Sequence, residues 1–344
     1  MKTVVIIPNY NGKKFLDPCM SALRGQTYRD FRVLIVDNGS ADGSRELLSS
    51  YEEDGSADVV CLPENTGFSG AVNAGIEAAL RMDPVPSYVV LLNNDTEAEP
   101  GYLEAMARLL DSDTEKKIGA VSPLMVNMHD PSRIDSAGDG YAVCGWAFQR
   151  GTGRKTDLPK FSKRKEVFSA CAGAAMYRME ALLDIRYPDG DFFDLLHFAY
   201  LEDVDVSFRM RELGYRILYE PGSRVLHYGS GTSGSKYNEF KVRLAARNNV
   251  YLNWKNMPFF QLLLNLPAIL CGLFVKWVFF TARGFGGVYW KGFLEGIRTL
   301  PKVRCHKVRF RAGRLPAYIS LEFRMIADTF SYLGDLIGRK ILKN

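Results

Sequence analysis

The chain has 344 residues, of which 47% are hydrophobic and 24% are charged, with a formal net charge of +5. These proportions are those of a folded globular protein, and they exclude a disordered or low-complexity chain. The length allows one large α/β domain with an appendage, or two domains, and the mild positive charge does not by itself indicate a nucleic-acid partner.

Residues 1–120 alternate between strand and helix patterns. Continuous apolar strands separated by helices are typical of a parallel sheet that is covered on both faces. Ligands bind such sheets beyond the carboxyl ends of the strands, so the polar residues that follow each strand are the first candidates for a site. The predicted strands are 3–7, 32–36, 59–62 and 88–92, and the predicted helices are 14–23, 42–51, 70–81 and 100–110.

The middle of the chain is less regular. Residues 124–165 are rich in glycine and polar residues, which predicts loops or an insertion. A small apolar run at 168–177 predicts a buried strand, and 216–219 and 224–227 predict two short strands. Residues 237–254 then predict a helix.

The last part of the chain is apolar and then basic. The segment Phe259–Thr281 approaches the ~20 residues that span a bilayer. Its Pro267 and Lys276 favour a segment that lies in or dips into the membrane, and the basic residues of 302–314 would suit anionic head groups. The alternative is a helix packed on the protein core.

Six cysteines are scattered through the chain, and none forms a Cys-x-x-Cys pair. This pattern predicts reduced thiols used as small core residues in a cytosolic protein, and no zinc site is expected. The apolar run at 4–7 is followed at once by Pro8, which is too short for the core of a signal peptide.

An acidic cluster begins the helix predicted after residue 200. Glu202, Asp203 and Asp205 directly follow the aromatic and apolar residues of 192–200. A carboxylate against an apolar wall has a raised pKa and is suited to act as a general base. The alternative is structural, because acids in a first helical turn also complement the helix dipole.

Asp95 follows the buried strand at 88–92. A carboxylate at that edge would hold Mg²⁺ or Mn²⁺, which neutralises the charge of a leaving diphosphate. Alternatively, Asp95 and Thr96 form only a turn. His227 ends a short strand, and a lone histidine is more often structural, so a metal role gains weight only if Asp95 already holds a cation.

Two further turns at strand ends offer hydrogen-bonding groups to a ligand. Asp37 would accept hydrogen bonds from a nucleobase or a ribose, although its sequence also suits a simple turn. The glycine-rich turn 65–70, followed by Asn73, would present N–H groups to anions or sugars. It lacks the Gly-x-Gly-x-x-Gly pattern of dehydrogenases. Arg243 and Arg247 share one helix face and would reach a diphosphate, or are solvated.

Taken in order, these motifs resemble family 2 glycosyltransferases, and most closely the rhamnosyltransferase-like branch. The resemblance covers about residues 1–255 and is specific as an ordered set, although no single motif is. The motifs are Pro8-Asn9-Tyr10-Asn11, Gln26-Thr27, Asp37-Asn38-Gly39-Ser40, Asn65-Thr66-Gly67-Phe68, Asn93-Asn94-Asp95-Thr96, Gly173-Ala174-Ala175-Met176, Glu202-Asp203-Val204-Asp205 and His227.

The resemblance implies a GT-A fold, an α/β fold with a mostly parallel central sheet flanked by helices, and inverting transfer from a nucleotide-diphosphate sugar. It makes Asp203 the catalytic base with Glu202 beside it, and it places the metal at Asp95 and His227. Asn93 replaces the first aspartate of the family's Asp-x-Asp motif, which leaves one less charge for the cation. The resemblance implies that Asp37 holds the base or ribose, helped by Pro8, Asn9 and Asn65. With the residue patterns described above, the predicted donor-binding residues are Pro8, Asn9, Tyr10, Asn11, Asp37, Asn65, Gly67, Phe68, Asn73, Asn93, Asn94 and Arg247.

The predicted organisation is a GT-A domain at 1–255, with a nucleotide-sugar half at 1–120 and an acceptor and catalytic half at 121–255. A helical, membrane-associated region follows at 256–344. We expect a cytoplasmic protein, peripheral or monotopic at the cytoplasmic face of the inner membrane.

The predicted donor is dTDP-L-rhamnose, with UDP-sugars as the alternative, and the predicted acceptor is a glycan or a polyprenyl-linked sugar of a surface polysaccharide. Two other functions stay open. One is a sugar nucleotidyltransferase, to which Gly12-Lys13-Lys14 is a faint likeness, and the other is a non-catalytic membrane scaffold. The sequence predicts no oligomeric state.

Overall fold

The computed structural model describes residues 1–229, 237–303 and 306–341. The strands are β1 (Thr3–Asn9), β2 (Phe31–Asn38), β3 (Asp58–Leu62), β4 (Tyr88–Leu91), β5 (Thr96–Ala98), β6 (Ile118–Asn127), β7 (Asp130–Ser136), β8 (Asp139–Tyr141), β9 (Ala147–Gln149), β10 (Lys165–Glu166), β11 (Met176–Arg178) and β12 (Arg216–His227). The helices are α1 (Lys13–Arg24), α2 (Ser44–Glu53), α3 (Gly67–Ala79), α4 (Tyr102–Ser112), α5 (Met179–Asp184), α6 (Glu202–Glu212), α7 (Glu239–Asn256), α8 (Phe259–Thr281), α9 (Gly286–Val303) and α10 (Leu315–Ile341).

A single large sheet organises the described part of the chain, in the order β10-β12-β6-β11-β4-β1-β2-β3. Strands β3, β2, β1 and β4 are parallel, and β6 and β12 are parallel to each other. The short β11 lies antiparallel between β4 and β6 and joins the two groups. The side strand β5 pairs with β12, and β7 pairs with β6.

The alternation of side chains along β1 divides the core between the two faces of the sheet. Val4 and Ile6 belong to one buried cluster, and Val5 and Ile7 belong to the other. Helix α3 approaches β1 closely at Gly75, where a Cβ atom would lie 2.5 Å from Cγ2 of Ile6. This double cover fixes the parallel strands so that β1, β2 and β4 end at the same edge.

The alternating elements predicted for residues 1–120 are present, but the middle of the chain differs. The insertion predicted as loops at 124–165 contains the last four residues of β6, all of β7, β8 and β9, and the first residue of β10. Strand β7 escaped prediction because its first four residues are exposed and none of them is aliphatic or aromatic. The strand predicted at 168–177 is wrong in extent, because the strand there is Met176–Arg178, and Ser169 forms only an isolated bridge with Asp139. The two strands predicted at 216–219 and 224–227 are one strand, β12, with an irregularity between Glu220 and Arg224.

Helix α8 contacts α10 and the segment around Cys144 through a narrow face that carries Gln261, Asn265 and Gly272. The side-chain amides of Gln261 and Asn265 donate to Oε2 of Glu322 in α10, at 2.8 and 2.9 Å. A Cβ atom on Gly272 would lie 2.7 Å from the carbonyl oxygen of Cys144. Among the described helices, α8 is long and apolar enough to cross a membrane by length and composition alone. Most of its apolar residues face away from the protein.

The cysteines are only partly the core residues that the sequence predicts. Cys19 is buried, whereas Cys61 and Cys271 are exposed, and the five cysteines of the described residues are free thiols. The expectation fails for the exposed pair because each lies on the outer side of its strand or helix. Arg304 and Cys305, which belong to the basic stretch, lie outside the described residues.

Candidate active site

The ends of β1, β2 and β4 are joined by a buried network of side chains. Nδ2 of Asn9 donates to Oδ1 of Asp37 at 3.3 Å and to the hydroxyl of Ser40 at 3.2 Å. Nδ2 of Asn94 donates to Oδ1 of Asn9 at 2.7 Å. Oδ2 of Asp37 accepts from Nε of Arg45 at 3.0 Å. The buried Asp37 carboxylate therefore organises the edge of the sheet where the sequence places the nucleotide.

A second turn, at the start of α3, is held by Asn38. Its Oδ1 accepts from both the main-chain nitrogen and the hydroxyl of Thr66 at 2.9 Å. Its Nδ2 donates to Oδ1 of Asn65 and to the carbonyl of Gly67, both at 3.0 Å. Asn38 was not predicted as a site residue, although it directly follows Asp37 in the motif. It fixes the shape of the glycine-rich turn that carries Asn65, Gly67 and Phe68.

The remaining predicted residues of the first strand end lie at the mouth of this edge. Pro8 and Tyr10 are half-buried and Asn11 is exposed. Oδ1 of Asn11 accepts from the main-chain nitrogen of Ala41 at 2.8 Å. The loop after β1 is thereby tied to the loop after β2.

Asp95 and His227 come together because β5 pairs with the end of β12, where Thr96 is opposite His227. Nε2 of His227 lies 3.5 Å from Oδ1 of Asp95, and Nδ1 of His227 lies 2.8 Å from Oδ2 of Asp135. Burial alone would lower the pKa of His227, but the hydrogen bonds and charges of Asp135 and Asp95 raise it to about 10.

This arrangement would suit a divalent cation, whose binding would displace the proton that Asp135 and Asp95 keep on the His227 ring. A carboxylate that binds Nδ1 of a histidine fixes the ring and leaves Nε2 as the metal ligand. In the structure Asp135 has that place, and Nε2 faces the Asp95 carboxylate. Mn²⁺ binds both oxygen and imidazole ligands, whereas Mg²⁺ prefers oxygen ligands.

Asp203 lies in the first turn of α6. Its Oδ2 accepts from the main-chain nitrogen of Ala172 at 3.2 Å, and its Oδ1 accepts from the main-chain nitrogen of Val204 at 2.8 Å. Burial raises the pKa of Asp203, and these hydrogen bonds only partly oppose the shift. The carboxylate is held in place and is more basic than an exposed aspartate.

Glu202 differs from its neighbour. It is buried, and its Oε2 has no hydrogen-bond partner among the described residues. Burial, and then the charge of Asp203, raise the pKa of Glu202 well above its usual range. The two adjacent acids therefore have distinct environments, with Asp203 hydrogen-bonded and Glu202 enclosed.

A further group of residues was missed by the sequence analysis. Asp139, Cys171 and Asp203 present ligand atoms that lie within 4.8 Å of one another. Burial and then the charge of Asp203 raise the pKa of Asp139, whose Oδ1 accepts from the hydroxyl of Ser136. By ligand type this is a candidate metal site, which the sequence analysis did not expect. Asp139 lies in an irregular stretch and Cys171 in an apolar run, so neither stood out.

Two predicted donor-binding residues are directed at protein atoms. The Asn73 amide donates to Asp191 and to the carbonyl of Phe193, and it accepts from the main-chain nitrogens of residues 192 and 193. Nη2 of Arg247 donates to the carbonyls of Leu196 and His197. Both side chains therefore hold the segment that leads into α6.

Asp203 and the Asn93–Asp95 segment after β4 are joined by a short stretch of backbone. The main-chain nitrogen of Ala172 donates to Asp203, and the carbonyl of the next residue, Gly173, accepts from the main-chain nitrogen of Asn93 at 2.8 Å. A Cβ atom on Gly173 would lie 3.1 Å from Nδ2 of Asn93. The structure therefore brings Asp203 and the Asn93–Asp95 segment to the same edge of the sheet.

The sequence matches one family profile and is similar to several curated proteins. The profile described as "Glycosyl transferase family 2" matches residues 4–186, which is more than half of the 344 residues. The N-acetylglucosaminyl-diphospho-decaprenol L-rhamnosyltransferase of Mycobacterium tuberculosis (strain ATCC 25618 / H37Rv) is 28% identical over 251 residues, covering 67% of this chain and 77% of that protein. Glycosyltransferase GlyA of Streptococcus pneumoniae is 30% identical over 105 residues, covering 30% of this chain and 14% of GlyA. Other curated relatives are likewise spanned over less than half of their length, 31% and 41% in two cases.

Solved structures share the fold. The crystal structure of S. aureus TarS 1-349 in complex with UDP-GlcNAc aligns with a TM-score of 0.57 and 15% identity, over 97% of this chain and 92% of that chain. GalNAc-T7 with UDP, GalNAc and Mn²⁺ aligns with a TM-score of 0.57 and 16% identity, over 73% of this chain and 47% of that chain. These likenesses confirm the predicted GT-A fold.

Proposed function

We propose that this chain, which belongs to glycosyl transferase family 2, transfers a sugar with inversion from a nucleotide-diphosphate donor to a hydroxyl of a glycan or lipid-linked acceptor. Family membership makes the chain a glycosyltransferase. The observation that carries the finer proposal is the joining of Asp203 to the Asn93–Asp95 strand end through Ala172 and Gly173.

Asp203 is proposed as the base. An acceptor hydroxyl is a weak nucleophile until its proton is removed, and a fixed carboxylate with a raised pKa can accept that proton. Ala172 and Val204 hold both of its oxygens in place. Attack on the anomeric carbon from the face opposite the diphosphate then inverts the configuration. One base is enough, because the leaving diphosphate needs charge neutralisation and not protonation.

The donor would lie over the ends of β1, β2 and β4. The turn that Asn38 fixes presents Asn65, Gly67 and the N-terminus of α3, which suits an anionic or hydroxyl-rich ligand. The Asp37 carboxylate already accepts hydrogen bonds from Asn9 and Arg45. Its remaining lone pairs would accept hydrogen bonds from the ribose or the base. Pro8, Tyr10, Asn11 and Phe68 would line the mouth.

Asp95 and His227 are proposed to hold Mg²⁺ or Mn²⁺, and Asn93 and Asn94 to contact the donor beside it. When bound, the cation would neutralise the diphosphate charge. Asp135 orients the histidine for that role through its contact with Nδ1. Because Asn93 replaces an acid, the site has one less charge than an Asp-x-Asp motif would give.

We propose L-rhamnose from dTDP-rhamnose as the donor sugar, with UDP-sugars as the alternative. The support is the mycobacterial relative, whose name describes an L-rhamnosyltransferase acting on a decaprenol-linked sugar. Residues 121–255 would contact the acceptor.

The proposed location is the cytoplasmic face of a membrane, with the protein bound peripherally or monotopically. Phe260, Leu264 and Phe274 of α8 are all more than half exposed, and so are Phe323 and Phe330 of α10. Clustered apolar exposure on this scale indicates an interaction surface. The polar face of α8 is occupied by Glu322, which favours a helix lying along the membrane over one that crosses it.

The experiment is a donor screen on the full-length protein in detergent. We expect thermal stabilisation by dTDP-rhamnose or a UDP-sugar in the presence of Mn²⁺, and transfer to a polyprenyl-diphosphate-linked sugar followed by mass spectrometry. Release of pyrophosphate from a sugar phosphate and dTTP would favour a nucleotidyltransferase instead. Lipid binding without turnover of any donor would favour a scaffold.

A further inference from the structure

The turn that leads into the catalytic helix has an unusual backbone. Phe198, Tyr200 and Leu201 have φ angles of 62°, 73° and 69°. Residues with a Cβ atom rarely adopt positive φ, and such conformations persist only where the surroundings hold them. Glu202 and Asp203 follow at once, so this turn sets where α6 begins.

Asn248 of α7 holds the turn by its main chain. Nδ2 of Asn248 lies 2.9 Å from the carbonyl oxygens of His197 and Ala199 and 2.8 Å from that of Tyr200. The side chain has no exposed surface. One amide nitrogen is therefore within hydrogen-bond distance of three carbonyl oxygens of the strained turn. Buried carbonyl groups need such a partner.

The orientation of that amide is fixed by the preceding residue. Nε of Arg247 donates to Oδ1 of Asn248 at 3.0 Å, so the amide nitrogen must face the turn. Nη2 of Arg247 also donates to the carbonyls of Leu196 and His197, and Nη1 contacts Glu295 of α9. The hydrogen bonds that hold the turn therefore come from α7, and α7 is itself bound to α9 through Arg247 and Glu295.

The same turn touches the loop proposed to bind the donor. The main-chain nitrogen of Ser69 donates to the carbonyl of Phe198 at 3.2 Å. A Cβ atom on Gly67 would lie 2.6 Å from Cδ2 of Phe198, so the ring packs directly on this glycine. On its other side, the carbonyl of Leu201 accepts from the main-chain nitrogen of Asp205. The turn therefore connects the donor loop to the helix that carries the base.

We propose that Asn248 is a positioning residue for the transfer reaction: it holds residues 197–201 in the conformation that sets Asp203 against the donor loop. The inference rests on the proposed function, since it takes Asp203 as the base. Among the described residues, the hydrogen bonds of the Asn248 side chain join it to Arg247 and to the carbonyls of the turn, and not to Asp203. Its effect passes through the carbonyls of His197, Ala199 and Tyr200.

A positioning role and a merely structural role predict different kinetics. If Asn248 only stabilised the fold, its loss would lower the unfolding temperature and leave turnover by the folded fraction intact. If it positions Asp203, the folded variant binds the donor normally but has a lower kcat, because a group needed in the transition state is displaced.

The test uses Asn248→Ala in the full-length protein, with Asn253→Ala as the control. Asn253 is a buried asparagine of the same helix, and its Oδ1 accepts from the hydroxyl of Tyr141, away from the turn. We expect Asn248→Ala to lower kcat by about 10-fold or more, towards the ~100-fold that a displacement of about 1 Å costs. Its dissociation constant for the donor nucleotide, measured by calorimetry, stays near the wild-type value. Asn253→Ala loses thermal stability but keeps kcat.

Asn248→Ser retains one donor on a shorter side chain and should have an intermediate kcat, which also carries the test if the alanine variant does not fold. A folded Asn248 variant with the kcat of the wild type overturns the proposal, as does an equal loss in Asn253→Ala. Failure of the proposed function looks different, because the wild type itself would then turn over no nucleotide sugar.

Discussion

Asp203 and Ala172 are joined by a hydrogen bond of 3.2 Å from the main-chain nitrogen to Oδ2 of the carboxylate. The residue after Ala172 is bound in turn to the backbone of Asn93, two residues before Asp95. Two acids that are 108 positions apart in sequence are therefore linked by one short segment. Substitutions at Asp203, at Asp95 and at the residues that support them should therefore have separable effects on one site.

Asp95→Ala should abolish the part of donor binding that depends on a divalent cation, because it removes the carboxylate that faces Nε2 of His227. Calorimetry with UDP or dTDP, with and without Mn²⁺, measures this directly. Asp54→Ala, at an exposed position after α2, is the control. If Mn²⁺-dependent binding survives in Asp95→Ala and is lost in Asp139→Asn, the cation belongs instead to the group of Asp139, Cys171 and Asp203.

The pH dependence of kcat/KM should have an acid limb above 3.8, the ordinary aspartate value, because burial raises the pKa of Asp203. The proton-accepting form is the carboxylate, so activity falls as the pH drops through this raised pKa. Donor binding followed over the same range separates the base from the nucleotide site. An acid limb at or below 3.8 would remove Asp203 from the role.

Lys255→Met should destabilise the fold strongly. The fully buried Nζ of Lys255 lies 2.5 Å from Asp194 and 2.9 Å from Asp205. Removing one partner of a buried ion pair typically costs ~3–5 kcal/mol, because uncompensated charge stays inside. Urea unfolding measures the loss. Lys116→Met removes an exposed pair with Glu180 and should cost at most about 1 kcal/mol. Equal losses in the two variants would contradict the account.

The buried ion pairs of Lys255 with Asp194 and Asp205 also predict that the fold is sensitive to acid. Burial alone would raise the pKa of Asp194, but the hydrogen bond from His306 and the charge of Lys255 hold it well below the ordinary value of 3.8. The pKa of Asp205 is also lowered, by Lys255 and Arg209 against its burial. A depressed pKa in the folded state stabilises the fold above pH 3.8, and this contribution is lost as the pH falls below it. Unfolding followed through this range should show the loss in the wild type and a smaller one in Lys255→Met.

Membrane binding should depend on the exposed apolar residues of α8 and α10. Phe260, Leu264 and Phe330 have 68%, 67% and 71% of their surface exposed. Burying one such side chain in the membrane contributes roughly 1.5–3 kcal/mol to the free energy of binding. Every ~1.4 kcal/mol changes the partition constant tenfold. A variant with serine in place of Phe260, Leu264 and Phe330 should therefore no longer co-sediment with anionic vesicles.

The matched control replaces Val85 and Leu183, which are exposed on the catalytic domain, by serine. It should bind vesicles like the wild type. Full-length protein that stays in the supernatant with vesicles, at low salt, would rule out the membrane surface. Weaker binding at high salt is expected from the basic stretch at 302–314, because salt screens its attraction to anionic head groups.

Local patterns were enough to predict the first half of the fold. Short apolar strands followed by amphipathic helices identify β1 to β4 and α1 to α4, and the motif residues at the strand ends do meet at one edge. The pairing of β5 with β12 could not be predicted from the sequence. It places Thr96 opposite His227, and local residue patterns do not specify which distant strands pair or in which register. For the same reason Asp135, which orients His227, was not predicted.

The hydrogen bonds that hold the segment before Asp203 were also not predictable from the sequence. Asn73 follows the glycine-rich turn and Arg247 shares a helix face with Arg243, which predicts contacts with the donor, whereas their hydrogen bonds in the structure go to the segment before α6. Nothing in a run of polar residues on α7 distinguishes a side chain that binds a substrate from one that holds a strained turn. The positive φ angle of Leu201 could not be anticipated either, because leucine disfavours it.

The most direct test of the central claim is Asp203→Asn in the transfer assay, with donor binding measured on the same preparation. Asparagine keeps the shape of the side chain and cannot accept the acceptor's proton. We expect turnover to fall by at least ~100-fold, the usual scale for a lost general base, with the dissociation constant for the donor nearly unchanged. Turnover close to that of the wild type in a folded Asp203→Asn protein would contradict the account.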